Sequence, residues 1–236
     1  MIMSTIVQNM QAVHASIRAA VNAAGRNPAE VRLLAVSKTF PAEAVLEAVE
    51  SGQLAFGENY LQEALDKMAA VADALPDRQL EWHFIGPIQS NKTRPIAASF
   101  DWVHTVERLK IAQRLSEQRP ETREPLNICL QVNISGEVSK SGVTPEELLE
   151  LARAVARLPR LRLRGLMAIP EPETEVDKQR LAFRRLRVLG EALVADGIAI
   201  DTLSMGMSAD LAAAIAEGAT MVRVGSAIFG VRKYEA

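Results

Sequence analysis

Cysteine is nearly absent: Cys129 is the only one in 236 residues. A single cysteine cannot close an internal disulfide, so nothing here asks for an oxidising compartment. It lies in the apolar run 126–132, which reads as a buried, inert thiol rather than a nucleophile. Histidine is scarce as well. His14, His83 and His104 show no ligand spacing with one another or with Cys129, which argues against a metal site. Neither sign of charge is in excess. The 27 basic and 29 acidic residues leave a net charge of −2, which argues against a general nucleic-acid binder. The arginines at 153, 157, 160, 162 and 164 lie among leucines and alanines and read as a solvated helix rim followed by a strand. No apolar stretch reaches the length of a membrane span, and residues 1–10 lack the charged start and apolar core of a secretory signal. A cytoplasmic protein with neither nucleic-acid nor membrane partners is expected. No Ser/Gly-rich linker or low-complexity tract divides the chain, so residues 1–236 read as one domain.

The hydrophobic share of 48% is enough to fill one sizeable core. Ile2, Ile6, Met10, Val13, Ile17 and Val21 recur at helical spacing and Gly25 can close the segment, so residues 1–26 read as an extra N-terminal helix. Short apolar runs then alternate with helical patterns. Strands are predicted at 32–37, 55–57, 82–86, 102–105, 127–133, 162–168, 202–204 and 221–224. Helices are predicted at 42–51, 60–75, 91–98, 108–118, 145–158, 177–195 and 209–217. Thr144-Pro145-Glu146-Glu147 is a clear start signal: a capping Thr, Pro at the first helical position and Glu three residues after the cap. Strands alternating with helices imply a parallel sheet with crossovers. Eight of them in this length fit a closed α/β barrel, a single (β/α)8 TIM barrel, better than an open sheet. No Gly-x-Gly-x-x-Gly loop follows the first strand, which argues against a dinucleotide.

Working groups of such a barrel sit at the carboxyl ends of the strands. Alternation puts Leu34, Val36 and Lys38 on one face. A lysine above an apolar floor is partly desolvated and offers a nucleophilic amine suited to an aldehyde. By itself Lys38 also fits a strand-end lysine snorkelling to solvent. The last strand shifts the balance. Arg223 shares a face with Met221 and Gly225, and pointing inward it would be a buried cation in need of an acceptor. Gly225 and Ser226 open a segment with free backbone N–H groups, where this fold commonly holds phosphate. Ser204 and Ser208 add hydroxyls after the seventh strand, and Ser208 is placed to cap the helix 209–217. Asn59 and Tyr60 follow the second strand. His83, among Trp82, Phe84 and Ile85, fits a core residue as well as a ligand. Lys140, in the loop after the fifth strand, fits a second amine at the mouth or a solvated lysine.

The runs Ala35-Val36-Ser37-Lys38-Thr39, Phe56-Gly57-Glu58-Asn59-Tyr60, Trp82 to Lys92, Gly165-Leu166-Met167, Leu203 to Ser208 and Val222 to Gly230 resemble those of the pyridoxal phosphate homeostasis proteins. The resemblance runs in order over nearly the whole chain. It implies a fold-type III barrel like the amino-terminal domain of alanine racemase, with pyridoxal 5′-phosphate as cofactor. It implies that Lys38 is the Schiff-base lysine, that Ser204, Ser208, Gly225 and Ser226 bind the phosphate, and that Arg223 faces the pyridine nitrogen with Asn59 near the cofactor. Ser226 stands where many relatives carry threonine, and both supply a hydroxyl.

An arginine partner cannot accept the ring proton, because its own pKa is too high. The ring is then a weak electron sink. Alanine racemase adds a tyrosine base from a second domain of the partner chain. Here only six residues follow Gly230, and of Tyr60 and Tyr234 neither lies in a base motif. The expectation is a binding protein, not an enzyme, that buffers the cofactor or delivers it to pyridoxal-phosphate-dependent apo-enzymes. Lys140 is a candidate for assisting transfer. A monomer is expected, with its first helix packed on the barrel. The rivals are a racemase of small amino acids and a cofactor-free enzyme acting on phosphate esters.

Overall fold

The computed structural model describes residues 5–136 and 141–230. Eight short strands alternate with helices: β1 (Arg32–Val36), β2 (Ala55–Glu58), β3 (Glu81–Phe84), β4 (Trp102–Val106), β5 (Leu126–Gln131), β6 (Leu161–Met167), β7 (Thr202–Ser204) and β8 (Met221–Val224). They pair in parallel in sequence order, and β8 returns to β1 with Leu34 opposite Arg223, closing the barrel. Strands rich in Val, Leu and Ile suit a parallel sheet covered on both faces.

Alternation along the strands separates two apolar layers. Leu33, Ala35, Val222 and Val224 point outward into the large core under the helices. Leu34, Val36, Ala55, Ile85 and Met221 form a second cluster, and Trp102, Cys129 and Met167 a third. These two clusters fill the lumen. The alternation therefore aims the face of Leu34 and Val36 inward, and with it Arg223 beside Met221. Each large side chain so buried contributes about 1.5–3 kcal/mol relative to exposure.

The helices are α1 (Thr5–Ala23), α2 (Ala42–Glu50), α3 (Leu61–Ala74), α4 (Thr93–Ser99), α5 (Leu109–Gln118), α6 (Pro145–Val155), α7 (Val176–Ala195), α8 (Leu211–Ala216) and α9 (Ser226–Phe229). Met10, Val13, Ile17 and Val21 form the buried stripe of α1, which packs on α2, α8 and α9. Asn9 Nδ2 donates to the Ile228 carbonyl at 2.8 Å. At the start of α6 the Thr144 hydroxyl oxygen accepts from the Glu147 N–H at 3.4 Å.

The differences from the sequence reading lie at element ends. Glu58 belongs to β2 and is fully buried. The helix predicted at 209–217 shortens to α8, because Ser208 to Asp210 form a turn in which Asp210 Oδ1 accepts from the Met207 N–H at 2.6 Å. Asp210, not Ser208, precedes the helix. The four-residue α9 was not anticipated. Ile2, Lys140 and Tyr234 lie outside the described residues. Among the described residues no helix is long and apolar enough to cross a membrane.

Candidate functional site

A cavity of about 320 Å³ opens at the carboxyl ends of β1, β2, β7 and β8, within the range of small-molecule sites. Lys38, Asn59, Ser208, Arg223, Gly225 and Ser226 line it together, above Val36 and Ile85. Of the seven residues that the resemblance assigns to the cofactor, six meet here; Ser204 does not. It lies beneath, fully buried, with its hydroxyl taken up by Arg223 and His104.

Lys38 is held through its neighbours. The Ser37 hydroxyl donates to Glu58 Oε1 at 2.6 Å, and the Lys67 ammonium donates to the Ser37 carbonyl at 2.8 Å. On the other side the Thr39 N–H donates to Glu63 Oε1 at 2.6 Å. Lys67 ties both carboxylates together, at 2.6 Å to Glu58 and 3.0 Å to Glu63. Thr39 takes a φ of +68°, a left-handed value uncommon outside glycine. Burial raises the pKa of Glu58, against the pull of Lys67 and Ser37. The clamp thus fixes the backbone on either side of the lysine, so that the lumen-facing alternation of β1 carries on into the cavity.

Asn59 is brought in by a close approach of two loops. A Cβ at Gly86 would stand 2.2 Å from the Asn59 carbonyl oxygen, so glycine alone lets the β3 loop seat against the end of β2. The side-chain Oδ1 of Asn59 is buried and has no hydrogen-bond partner. Gly225 comes similarly close to β1, where a Cβ would lie 3.1 Å from the Val36 carbonyl oxygen. Ser226 then opens α9; the Ile228 and Phe229 N–H groups bond back to the Gly225 carbonyl at 2.9 Å, which leaves those of Ser226 and Ala227 as the donors of its first turn.

Arg223 is almost wholly buried. It donates from Nη1 to the Ser204 carbonyl at 2.6 Å and to Ser204 Oγ at 2.8 Å, and from Nη2 to the Ala168 carbonyl at 2.9 Å. Burial pulls its pKa down to about 10, with Asp210 opposing, so it stays a cation at neutral pH. Cys129 is fully buried, and burial pushes its thiol up to about 12.

Residues 8–233 match the family model described as alanine racemase, N-terminal domain. Over 234 residues the chain is 65% identical to the pyridoxal phosphate homeostasis protein of Pseudomonas aeruginosa, covering 99% of each. The chain belongs to the pyridoxal phosphate homeostasis protein family. Its counterpart in Escherichia coli strain K12 is 55% identical over 232 residues, covering 98% of this chain and 99% of that one. Among solved structures, that of PipY from Synechococcus elongatus PCC7942 with PLP bound superposes with a TM-score of 0.82 at 35% identity, covering 96% of this chain and 100% of that one.

In this family member, sequence reasoning missed the support beneath the cavity. Glu58 was read as following its strand, although a carboxylate in the apolar run from Ala55 was itself a sign that a buried cation had to exist. Its partner, Lys67, lies on the helix after that strand and was not singled out. His83 and His104 appeared unrelated by spacing, yet they touch across β3 and β4.

Proposed function

We propose that this protein binds pyridoxal 5′-phosphate in the cavity at the mouth of the barrel and serves in the cytoplasm to buffer the cofactor or deliver it to apo-enzymes that need it. The observation that carries this reading is the convergence of Lys38, Arg223, Asn59 and the segment Gly225–Ser226 on one cavity.

The residues fit the group. Asn59 lines the cavity, its Oδ1 is buried without a hydrogen-bond partner, and buried polar atoms are rarely left without one. Ser208 and Ser226 supply hydroxyls, and the start of α9 supplies N–H groups, for the phosphate. Lys38 supplies the amine. When bound, the cofactor contributes an aldehyde that an amine captures reversibly and a ring that withdraws electrons.

Arg223 sets the character of the site. A guanidinium has five donors and no acceptor, so opposite the ring nitrogen it donates a hydrogen bond and takes no proton. Asp210, Glu58 and Glu63 are carboxylates at this end of the barrel, and none of them is among the residues lining the cavity; Glu63 is held by the Thr39 N–H and Lys67. Asp210 is engaged by the Met207 N–H, and Glu58 is sealed under Ser37 and Lys67. With no acid at the ring nitrogen, holding is favoured over turnover, which supports a carrier and not an enzyme. Ser204, beneath the cavity, is assigned to orienting Arg223 instead of touching phosphate.

Titrating the purified protein with pyridoxal phosphate should produce a visible absorption band that Lys38→Ala abolishes. A spectrum that ignores the cofactor would overturn the proposal. Single amino-acid enantiomers should stay unconverted by the loaded protein; sustained racemisation would make it an enzyme.

A further inference from the structure

A buried guanidinium with no carboxylate in contact is costly unless its charge is answered elsewhere. Asp210 answers part of the charge of Arg223 without touching it, and a second carboxylate connects to it from the far end of the barrel. Ser204 Oγ, which accepts from Arg223 at 2.8 Å, stands 2.8 Å from His104 Nδ1. His104 Nε2 stands 2.8 Å from His83 Nδ1, and His83 Nε2 stands 2.7 Å from Glu81 Oε1. Glu81 begins β3 at the amino-terminal end of the barrel, where Arg32 Nη2 also reaches it at 2.7 Å. The contacts run without a gap through the lumen from the cavity to the opposite face, using β8, β7, β4 and β3.

Both ends of this series are fixed. A guanidinium only donates and a carboxylate only accepts. Glu81 takes the Nε2–H of a neutral His83, so with both rings neutral the protons sit on Nε2 throughout, and Ser204, while its oxygen accepts from Arg223, gives its single hydrogen to His104 Nδ1, which carries none. His104 then bears its proton on Nε2 and donates to His83 Nδ1, which is likewise bare. His83 donates from Nε2 to Glu81. Every hydrogen bond points the same way, and each imidazole has room for one proton. A second proton on His83 would set its Nδ1–H against the Nε2–H of His104. Burial, which lowers the pKa of both rings and that of His104 the more, favours the same neutral state. His83 is further fixed by stacking on Trp102, with centroids 5.3 Å apart and planes 9° from parallel.

We propose that Glu81, His83, His104 and Ser204 form a one-way hydrogen-bond chain that acts as the remote counter-charge of Arg223 and fixes the guanidinium in the orientation it presents to the cavity. Aligned bonds in a low-dielectric lumen polarise one another, so the Glu81 charge strengthens Ser204 as an acceptor without touching Arg223. The four are positioning residues, and no proton moves along them. Their effect on the ligand rests on the pyridoxal phosphate reading; the polarity of the chain does not.

Two measurements test it. In nitrogen-15-labelled, ligand-free protein, long-range imidazole spectra should show His83 and His104 neutral at pH 7, both with the proton on Nε2 and a bare Nδ1. A proton on Nδ1 of either ring overturns the proposal. Ser204→Ala removes one oxygen and cuts the chain beside Arg223. It should weaken pyridoxal phosphate binding about tenfold and move the absorption maximum of the bound cofactor, while the melting transition stays cooperative. Wild-type affinity and an unmoved maximum in Ser204→Ala would also overturn it. If the wild-type protein fails to bind pyridoxal phosphate, the functional reading fails, and the ring tautomers still decide the chain.

Discussion

Lys67 and Glu58 meet at 2.6 Å where water does not reach: their side chains are 3% and 0% exposed. Removing one member of such a pair strands the other. Lys67→Met should therefore destabilise the fold by about 3–5 kcal/mol, measured by urea denaturation, and Glu58→Leu added to it should restore much of the loss. An additive double variant would mean that the two charges do not depend on each other. Because the pair also anchors Ser37, the single variant should loosen the placement of Lys38. At this scale alternation put Lys38 with Val36 and Arg223 with Met221 but left open which faces turn inward, and it was the family resemblance that named both for the cavity they line. The sequence did not disclose their supports. The partners of Glu58 and His104 come from other strands and helices, and no local spacing carries that information. Ser204 shows the boundary: the resemblance implied a phosphate contact at the end of β7, while in the structure its hydroxyl turns down into the lumen and is occupied there.

At the level of elements, the mouth of the barrel depends on loops that touch through glycine. A Cβ on Gly86 would meet the Asn59 carbonyl oxygen at 2.2 Å and the Asn59 Cα at 2.8 Å. Backbone cannot yield as a flexible side chain does, so the loop after β3 must shift. Gly86→Ala should cost about 1–3 kcal/mol of stability and, by displacing Asn59, weaken ligand binding at the same time. Unchanged binding in a destabilised variant would place Asn59 outside the ligand contacts. Strand and helix bodies were legible because each carries its own apolar pattern. The ends were not, because tertiary bonds set them: Asp210 binding the Met207 N–H delays α8, and the close pass of Gly225 over Val36 leads into the short α9.

The whole molecule buries ionisable groups down the axis of its barrel, and they draw its stability down towards acid pH, against the opposite pull of Glu58, whose raised pKa favours the fold as it takes up a proton. His83 and His104 have pKa values lowered from 6.5 by burial, partly offset at His83 by Glu81. Their folded forms stay neutral while the unfolded chain takes up protons below about 6.5, so stability is complete above that pH and falls beneath it. Glu81 adds a second, more acid window. Although burial opposes it, the bond to His83 and the charge of Arg32 bring its pKa from 4.5 down to about 2, so its contribution holds above 4.5 and fades towards 2. A group that differs fully between the two states changes stability by about 1.4 kcal/mol per pH unit. Denaturation midpoints should fall steadily from pH 6.5 to 5, and less steeply in His104→Gln. Equal slopes in both proteins would show that His104 accepts a proton within the fold.

The role proposed for the cavity depends on which amine holds the cofactor. Borohydride reduction of the protein loaded with pyridoxal phosphate, followed by peptide mapping, reads this directly. The label is predicted on the peptide containing Lys38, at one equivalent per chain, and absent from Lys38→Ala. Label on another lysine, with Lys38 unmodified, would contradict the assignment of the cavity.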